Sequence, residues 1–218
     1  MVRGAAEPIS WPGARAVLIV ATGSDVRARL RRVVVEDSAG LHPFPRMMRW
    51  LTLLVPANAG FRLRTVLIRL AGWNVHSSTL FARIPMWSGA GPIRNRLQIG
   101  ADCFINVGCH FELNDRISIG DGVSIGHEVL ILTSSHKIGP YDRRAGDATN
   151  AAVTIESGAW IGARSILLPG VTIGAGSIVS TGSVVNADVP ANSVVAGAPA
   201  TVVVPRLAGA RARPTNDR

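Results

Sequence analysis

The sequence predicts an all-β fold: a parallel coil of short strands with a small helical segment on its N-terminal side. Three observations predict it. From Ile99 onward the chain repeats with a period of six residues. Aromatic residues make up only 5% of the chain, and the abundance of Gly, Val, Ile and Ala suits thin, repetitive β structure. An apolar stripe with helical spacing lies within residues 46–72.

The repeat is clearest between residues 155 and 190, which read IESGAW, IGARSI, LLPGVT, IGAGSI, VSTGSV and VNADVP. Each unit begins with an aliphatic residue: Ile155, Ile161, Leu167, Ile173, Val179 and Val185. The fifth residue of each is small or β-branched: Ala159, Ser165, Val171, Ser177, Ser183 and Val189. Earlier units are IGADCF, INVGCH, IGDGVS, IGHEVL and ILTSSH, while FELNDRIS (111–118) carries two extra residues.

A six-residue period fits a triangular β-coil in which each hexapeptide forms one short strand and one corner. Three hexapeptides close one turn, and stacked turns bury a continuous apolar column. The leading aliphatic residue points inward, the fifth residue fills the remaining interior, and Gly in second place relieves the corner backbone. Cys103 and Cys109 stand in fifth places and are therefore expected to be small core residues; their spacing is not that of a metal-binding pair.

The repeat divides the chain into four parts. Residues 1–45 lack a clean period and form an N-terminal extension, residues 46–96 a helical segment and lead-in, residues 97–205 the coil, and residues 206–218 a basic tail. The helical segment is expected to be two short helices split at Pro56. In the second helix, Leu63, Val66, Leu67 and Leu70 form one apolar stripe. Two interpretations stay open: a cap packing on the coil, or a basic amphipathic segment resting on an anionic membrane.

The charge distribution excludes one class of partner. The formal net charge of +9 divides into +7 over residues 1–72, −1 over residues 73–205 and +3 over residues 206–218. The nearly neutral coil lacks the basic stripe and the aromatic platforms that nucleic acids require, so we expect no nucleic-acid partner. No secretory signal and no run of about 18–20 apolar residues is visible. We therefore expect a cytoplasmic protein, at the inner membrane face if residues 46–72 rest on lipid.

Function is expected where the repeat is interrupted, because a loop there escapes the packing rule. The clearest interruption lies in "ILTSSHKIGPYDRRAGD" (131–147). The repeat stops at His136, which predicts a loop over residues 137–154. The bulge 111–118 lies on the same face in the preceding turn, so Glu112, Asn114 and Asp115 should approach His136. Asn106 lies one corner earlier.

One imidazole among hydrogen-bonding side chains can take a proton from a hydroxyl. That would activate an alcohol to attack an acyl donor directly. No covalent nucleophile is apparent, since both cysteines are assigned inward and Ser134 and Ser135 lack an obvious relay.

The strings "LTSSH", "WIGARSILLPGVTIGAGSIVSTGSVV" and "VPANSVVAGAPATVV" closely resemble the hexapeptide-repeat acyltransferases, over about residues 97–204. Within that family they look most like the maltose, galactoside and nodulation-factor O-acetyltransferase branch. The resemblance implies a left-handed parallel β-helix assembled as a homotrimer, with active sites between neighbouring subunits. It also implies acetyl-CoA or another acyl-CoA as co-substrate, no metal, and a sugar or glycolipid as the small-molecule acceptor.

The resemblance also implies roles for particular residues. By motif, His136 matches the family's general base and Asn106 an acceptor-contacting asparagine. Asn114 stands where the family often has an acceptor-contacting aspartate, which Asp115 could replace. Residues that match the cofactor groove are Trp160, which lines the pantetheine arm, and Ala163 and Thr181, whose backbone groups bond that arm. After "GAPA" the usual basic residue for the CoA phosphates is absent, and Arg206, or Arg211 and Arg213, would replace it.

Several alternatives stay open. Carbonic anhydrases of the γ class share such a coil but need three imidazoles in one zinc site. His110, His127 and His136 do not reproduce that spacing, and the first two are expected to face solvent at corners. A non-catalytic assembly module would not need His136, Asn106 and Trp160 together. Within the acyltransferases, an antibiotic-modifying enzyme or a serine acetyltransferase is the other choice.

Overall fold

The computed structural model describes residues 43–57 and 59–205. Most of the expected N-terminal extension and the whole basic tail, with Arg206, Arg211 and Arg213, lie outside these residues. Within the described residues, three helical elements precede or interrupt the strands: α1 (Pro43–Leu53), α2 (Phe61–Leu70) and a 3-10 helix (Ile93–Arg96). The expected pair of short helices on either side of Pro56 is therefore confirmed.

The strands of the first three coils are β1 (Asn74–Val75), β2 (Leu80–Phe81), β3 (Met86–Ser88), β4 (Leu97–Ile99), β5 (Phe104–Ile105), β6 (His110–Glu112), β7 (Ile117–Ile119), β8 (Ser124–Ile125) and β9 (Leu130–Ile131). A hairpin follows, formed by β10 (Ser134–Ile138) and β11 (Ala145–Asn150). The coil then resumes with β12 (Val153–Ile155), β13 (Trp160–Ile161), β14 (Ile166–Leu167), β15 (Thr172–Ile173), β16 (Ile178–Val179), β17 (Val184–Val185), β18 (Val194–Gly197) and β19 (Ala200–Val204).

Successive strands belong to different sheets, which makes the body a three-sided parallel β-helix. The first face contains β1, β4, β7, β12 and β15. The second contains β2, β5, β8, β13, β16, β18 and β19, the last of these antiparallel to β18. The third contains β3, β6, β9, β14 and β17. The all-β fold class, with a small helical segment on its N-terminal side, is confirmed.

The leading residues of the hexapeptides stack directly on one another. On the third face Phe111 pairs with Ile131, and Leu167 pairs with both Ile131 and Val185. All of these side chains are buried, as are the fifth-place residues of the regular hexapeptides, including Cys103 and Cys109; Ser135, in the unit that leads into the hairpin, is exposed. Both cysteines are free thiols, and each Sγ contacts a backbone carbonyl of the next coil, Gly120 for Cys103 and Gly126 for Cys109. Their assignment to the core is confirmed.

The β-helix begins one coil before residue 97. Val75, Phe81 and Trp87, six residues apart, pair with Ile99, Ile105 and Phe111 of the next coil. Trp87 also packs against Trp73, with ring centroids 4.0 Å apart. The six-residue spacing is thus present in the lead-in. Two of the leading residues in this first coil are aromatic, and no Gly stands in second place. The segment that holds the 3-10 helix separates this coil from the later repeats and shifts their register.

Glycine in second place serves close stacking rather than an unusual backbone angle. A Cβ at Gly162 would lie 2.5 Å from the Thr181 nitrogen of the next coil, and one at Gly126 would lie 2.6 Å from the Ala163 nitrogen. Left-handed angles occur two places later, at Glu128 (φ 57°) and Gly182 (φ 73°) among others. The corner therefore has two special positions, one narrow and one left-handed.

The predicted apolar stripe of α2 does not face the coil. Leu63, Val66 and Leu70 are exposed, and the buried residues of α2 are Arg64, Thr65 and Ile68. The helix does pack on the coil as a cap, but through Ile68 and the polar contacts of Arg64 and Thr65, so the packing face is not the predicted stripe.

Arg64 makes most of those polar contacts. Its Nη1 donates to the Ala59 carbonyl at 2.6 Å, and its Nη2 donates to the Val55 and Pro56 carbonyls at 2.9 and 3.0 Å. A longer bond from Nη1, 3.4 Å, reaches the Phe81 carbonyl in the first coil. Burial lowers the pKa of Arg64, and neighbouring Arg83 lowers it further. Arg64 therefore ties the turn between the helices to the base of the β-helix.

Candidate active site

The interrupted corner is a protruding β-hairpin. Strand β10 pairs antiparallel with β11, with His136 opposite Ala148, and β12 then resumes the coil. Much of the expected loop over residues 137–154 is therefore ordered by strand pairing. The hairpin leaves the helix at the corner that joins the third face to the first, and its Ile138 and Tyr141 side chains are 89% and 86% exposed.

The His136 imidazole is exposed and held through one of its two nitrogens. Its Nδ1 lies 2.8 Å from the Gly146 carbonyl oxygen on the opposite strand. A carbonyl oxygen only accepts, so Nδ1 must carry the hydrogen and donate it. In the neutral imidazole that tautomer leaves the Nε2 lone pair available, which is the form a general base requires.

Glu112 organises the strand that carries His136. Its Oε2 accepts the backbone N–H groups of Thr133 and Ser134, both at 3.1 Å, and its Oε1 accepts the Ser134 hydroxyl and the Asn114 amide, the latter at 3.0 Å. Burial alone would raise the pKa of Glu112. These hydrogen bonds outweigh that effect and hold its pKa below the usual value. Glu112 thereby fixes the start of β10, two residues before His136.

The bulge lies against the segment that leads to His136, as the repeat arithmetic predicts. Glu112 accepts hydrogen bonds from this segment, and the Asp115 N–H donates a further one to Thr133 Oγ1 at 3.0 Å. The Asn114 amide is already engaged at both ends, since its Oδ1 accepts the Ala90 N–H at 3.1 Å while its Nδ2 donates to Glu112. These contacts make Asn114 a brace between two coils. The acceptor-binding roles of Asn114 and Asp115 stay predictions.

Asn106 and the three described residues that are predicted to line the cofactor groove lie at a different edge. Asn106 follows β5, and Ala163 and Thr181 follow β13 and β16, so all three lie at the corner joining the second face to the third. The Ala163 carbonyl accepts the Gly182 N–H at 2.9 Å, which stacks these two coils. Trp160 points outward from β13 on the second face and is exposed. Arg206 lies outside the described residues.

Within one chain the width of the third face therefore separates two groups. His136 and Glu112 belong to the third-to-first corner, whereas Asn106, Ala163 and Thr181 belong to the second-to-third corner. The repeat spacing predicts this separation, because it places Asn106 one corner before His136.

Two further histidines differ from each other. His127 is exposed at its corner, as expected. His110 is half-buried: its Nε2 lies 2.7 Å from Ser88 Oγ, and burial, opposed by Glu112 and aided by Arg49, lowers its pKa. The expectation for His110 is wrong because β3, part of the unrecognised first coil, packs beside it. Among residues 43–57 and 59–205, no three His, Cys, Asp or Glu side chains are grouped to hold a metal ion.

Comparisons with known proteins agree with this architecture. A family model described as "Bacterial transferase hexapeptide (six repeats)" matches residues 152–187. The galactoside O-acetyltransferase of Escherichia coli is 32% identical over 109 residues, covering 50% of this chain and 54% of that protein. Nodulation protein L of Rhizobium meliloti is 42% identical over 106 residues, covering 49% and 58%. The chain spans about half the length of these relatives.

Solved structures match over a larger share. A hexapeptide-repeat-containing acetyltransferase from Vibrio cholerae, complexed with acetyl coenzyme A, is 30% identical with a TM-score of 0.60, covering 73% of this chain and 85% of that one. A maltose O-acetyltransferase from Clostridium difficile is 25% identical with a TM-score of 0.62, covering 84% and 90%. The fold and the repeat define a hexapeptide-repeat β-helix protein. The chain belongs to the hexapeptide-repeat acetyltransferase family, as its motifs predict.

Proposed function

We propose that this protein is an acetyl-CoA-dependent O-acetyltransferase that moves an acetyl group to a hydroxyl of a sugar or glycoconjugate by direct transfer. The observation that carries the proposal is the exposed His136 imidazole, whose Nδ1 is bonded to the Gly146 carbonyl and whose Nε2 is left to accept a proton. Support for the donor and the acceptor comes from the acetyl-CoA complex of the Vibrio cholerae relative and from the galactoside and maltose acetyltransferases.

The proposed chemistry needs one proton relay. Nε2 of His136 takes the proton of the acceptor hydroxyl as its oxygen attacks the thioester carbonyl carbon. The imidazolium is stabilised by its Nδ1–H bond to Gly146. It then returns the proton to the sulfur as the C–S bond breaks, so the products are the acetyl ester and the free thiol. Neither cysteine serves as a nucleophile, since both are buried and burial raises the pKa of Cys109 to about 11.

A homotrimer is part of the proposal, because one chain holds the two halves of the site at different corners. His136 at the third-to-first corner and Asn106 at the second-to-third corner would meet only across a boundary between two copies. The exposed Ile138 and Tyr141 on the hairpin supply apolar surface for that contact. In this arrangement Trp160 lines the groove for the pantetheine arm, with Ala163 and Thr181 beside it.

A thiol-release assay tests the proposal. The intact protein is incubated with acetyl-CoA and a panel of sugars and glycolipids, and free CoA is measured against time. We expect turnover with at least one acceptor, and His136→Ala should lower kcat by roughly 10²–10⁴-fold while leaving the fold intact. Full activity of His136→Ala against the same acceptor would refute the assignment of the base. A cytoplasmic location stays a prediction.

A further inference from the structure

We infer that helices α1 and α2 bind the protein to the surface of an anionic phospholipid bilayer. Both helices turn an apolar stripe outward. In α1 and the residue after it, Met47, Trp50, Leu51 and Leu54 follow the spacing i, i+3, i+4, i+7, and Trp50 and Leu54 are 73% and 86% exposed. In α2, Leu63, Val66 and Leu70 are exposed at similar spacing, with Leu70 77% exposed. Such stripes normally face a core.

The charge around the stripes identifies the occupant. Residues 43–72 contain five arginines and no aspartate or glutamate. Arg64 is buried, whereas Arg49, Arg62 and Arg69 are exposed. A surface that combines Trp, Leu and Arg without acidic residues matches the interface between headgroup phosphates and acyl chains. Two copies meeting through this same surface would bring like charges together, which disfavours self-association here.

A cleft beside α1 gives the surface a place for one headgroup. It encloses about 230 Å³, and its lining includes Arg49, Thr52 and Leu53 from the helix and Arg83 and Met86 from the first coil. A lining that combines two arginines with aliphatic side chains suits a phosphate with its first methylene groups. Arg83 also donates to the Leu53 carbonyl at 3.3 Å, so the end of α1 is attached to the coil beside this cleft.

The helices are held in a way that keeps the stripes outward. Arg64 bonds the carbonyls of the turn between them, Thr65 Oγ1 donates to the Thr79 carbonyl at 2.5 Å, and Arg69 donates to the Val75 carbonyl at 2.8 Å. The polar side of α2 is thus fixed to the first coil. None of the described helices is long and apolar enough to span a membrane.

Vesicle flotation of the intact chain tests the inference. One set of vesicles contains phosphatidylcholine alone, and another contains phosphatidylcholine with phosphatidylglycerol. We expect binding to the second set that weakens as salt is added, because anionic headgroups attract the arginines. The double variant Trp50→Ser/Leu54→Ser and the single variant Leu70→Ser should reduce binding, the double variant by roughly tenfold or more. Val203→Ser removes an exposed apolar side chain on β19, far along the coil, and should bind as the unmodified protein does.

Three results would overturn the inference. The first is failure of the intact chain to float with either set of vesicles. The second is equal binding by the double variant and the Val203→Ser control. The third is loss of oligomer mass in light scattering of the double variant, which would make the surface a subunit interface. Circular dichroism of every variant confirms folding, and Leu70→Ser gives a second helix to test. No acyl donor or acceptor is present, so the result is independent of the proposed acetyl transfer.

Discussion

Replacing Glu112 with Gln should both destabilise the protein and slow its reaction. The carboxylate accepts four hydrogen bonds from Thr133, Ser134 and Asn114. Gln keeps only one acceptor oxygen. Its N–H₂ group is a donor, so it cannot accept a hydrogen bond from the donor that faced the second carboxylate oxygen. The best orientation keeps the two backbone N–H groups bonded and sets the new amide against the Asn114 amide, which is fixed at its other end by Ala90.

The size of the effect follows from these bonds. Hydrogen bonds to a charged group contribute about 1.5–3 kcal/mol each, and a half-buried carboxylate realises only part of that. Since the variant loses the charge and one bond, we expect the free energy of unfolding to fall by about 1–3 kcal/mol. Because Ser134 leads directly to His136, kcat should fall as well. Urea unfolding and the thiol-release assay measure the two effects.

The pH dependence separates the charge from the shape of the side chain. Hydrogen bonds lower the pKa of Glu112 in the folded protein, so its stabilisation is present above the unfolded-state pKa and disappears as the pH falls through the folded-state pKa. The stability gap between the protein and Glu112→Gln should therefore narrow in acid. Glu128→Gln, which breaks only the exposed pair with Arg164, is the matched control and should cost less than about 1 kcal/mol. A gap below that of the control, or one that widens in acid, would refute the role given to Glu112.

Three other predictions concern the scaffold. Gly162→Ala should lower the unfolding free energy by about 1–3 kcal/mol, because its Cβ would lie 2.5 Å from the Thr181 nitrogen. Gly182→Ala, whose Cβ meets nothing within 4 Å, should cost only the left-handed backbone penalty of about 1–2 kcal/mol; urea unfolding contradicts this if Gly182→Ala costs more. Cys109, with a pKa of about 11, should react with a thiol reagent at neutral pH only after unfolding, and rapid native labelling would refute its burial. Arg64→Met should lower the midpoint of thermal unfolding, because the Val55, Pro56 and Ala59 carbonyls lose their donor, and an unchanged midpoint would contradict that.

The sequence carries the repetitive part of this fold almost completely. Each leading aliphatic residue is buried where the six-residue period places it, and so is each fifth-place residue except Ser135, where the chain leaves the coil for the hairpin. The first coil follows the same period but was not recognised in the sequence. Phe81 and Trp87 replace aliphatic residues there, and the segment of residues 89–96 shifts the register. Hydrophobic spacing alone also gave the wrong buried face of α2. That face is decided by the carbonyl groups that Arg64 and Thr65 reach, which no pattern of apolar residues encodes.

The candidate site was predicted in parts. The break in the repeat singled out His136. The repeat spacing also predicted that the bulge contacts the segment before His136, and the hydrogen bonds of Glu112 and Asp115 confirm this contact. The role of Glu112 in fixing the start of β10 was missed, although the two-residue bulge that contains it was the available signal. The separation of Asn106 from His136 by the third face was also predicted, since the repeat places Asn106 one corner earlier.

The central claim is that His136 of one copy acts with Asn106 of another, and mixed oligomers test it most directly. His136→Ala and Asn106→Ala chains are each nearly inactive under this account, and each keeps the half of the site that the other lacks. When equal amounts are co-expressed, random assembly should restore intact sites to about a quarter of the total, and thiol release should recover to that level. Activity no higher than that of the separate variants would contradict a site shared between copies.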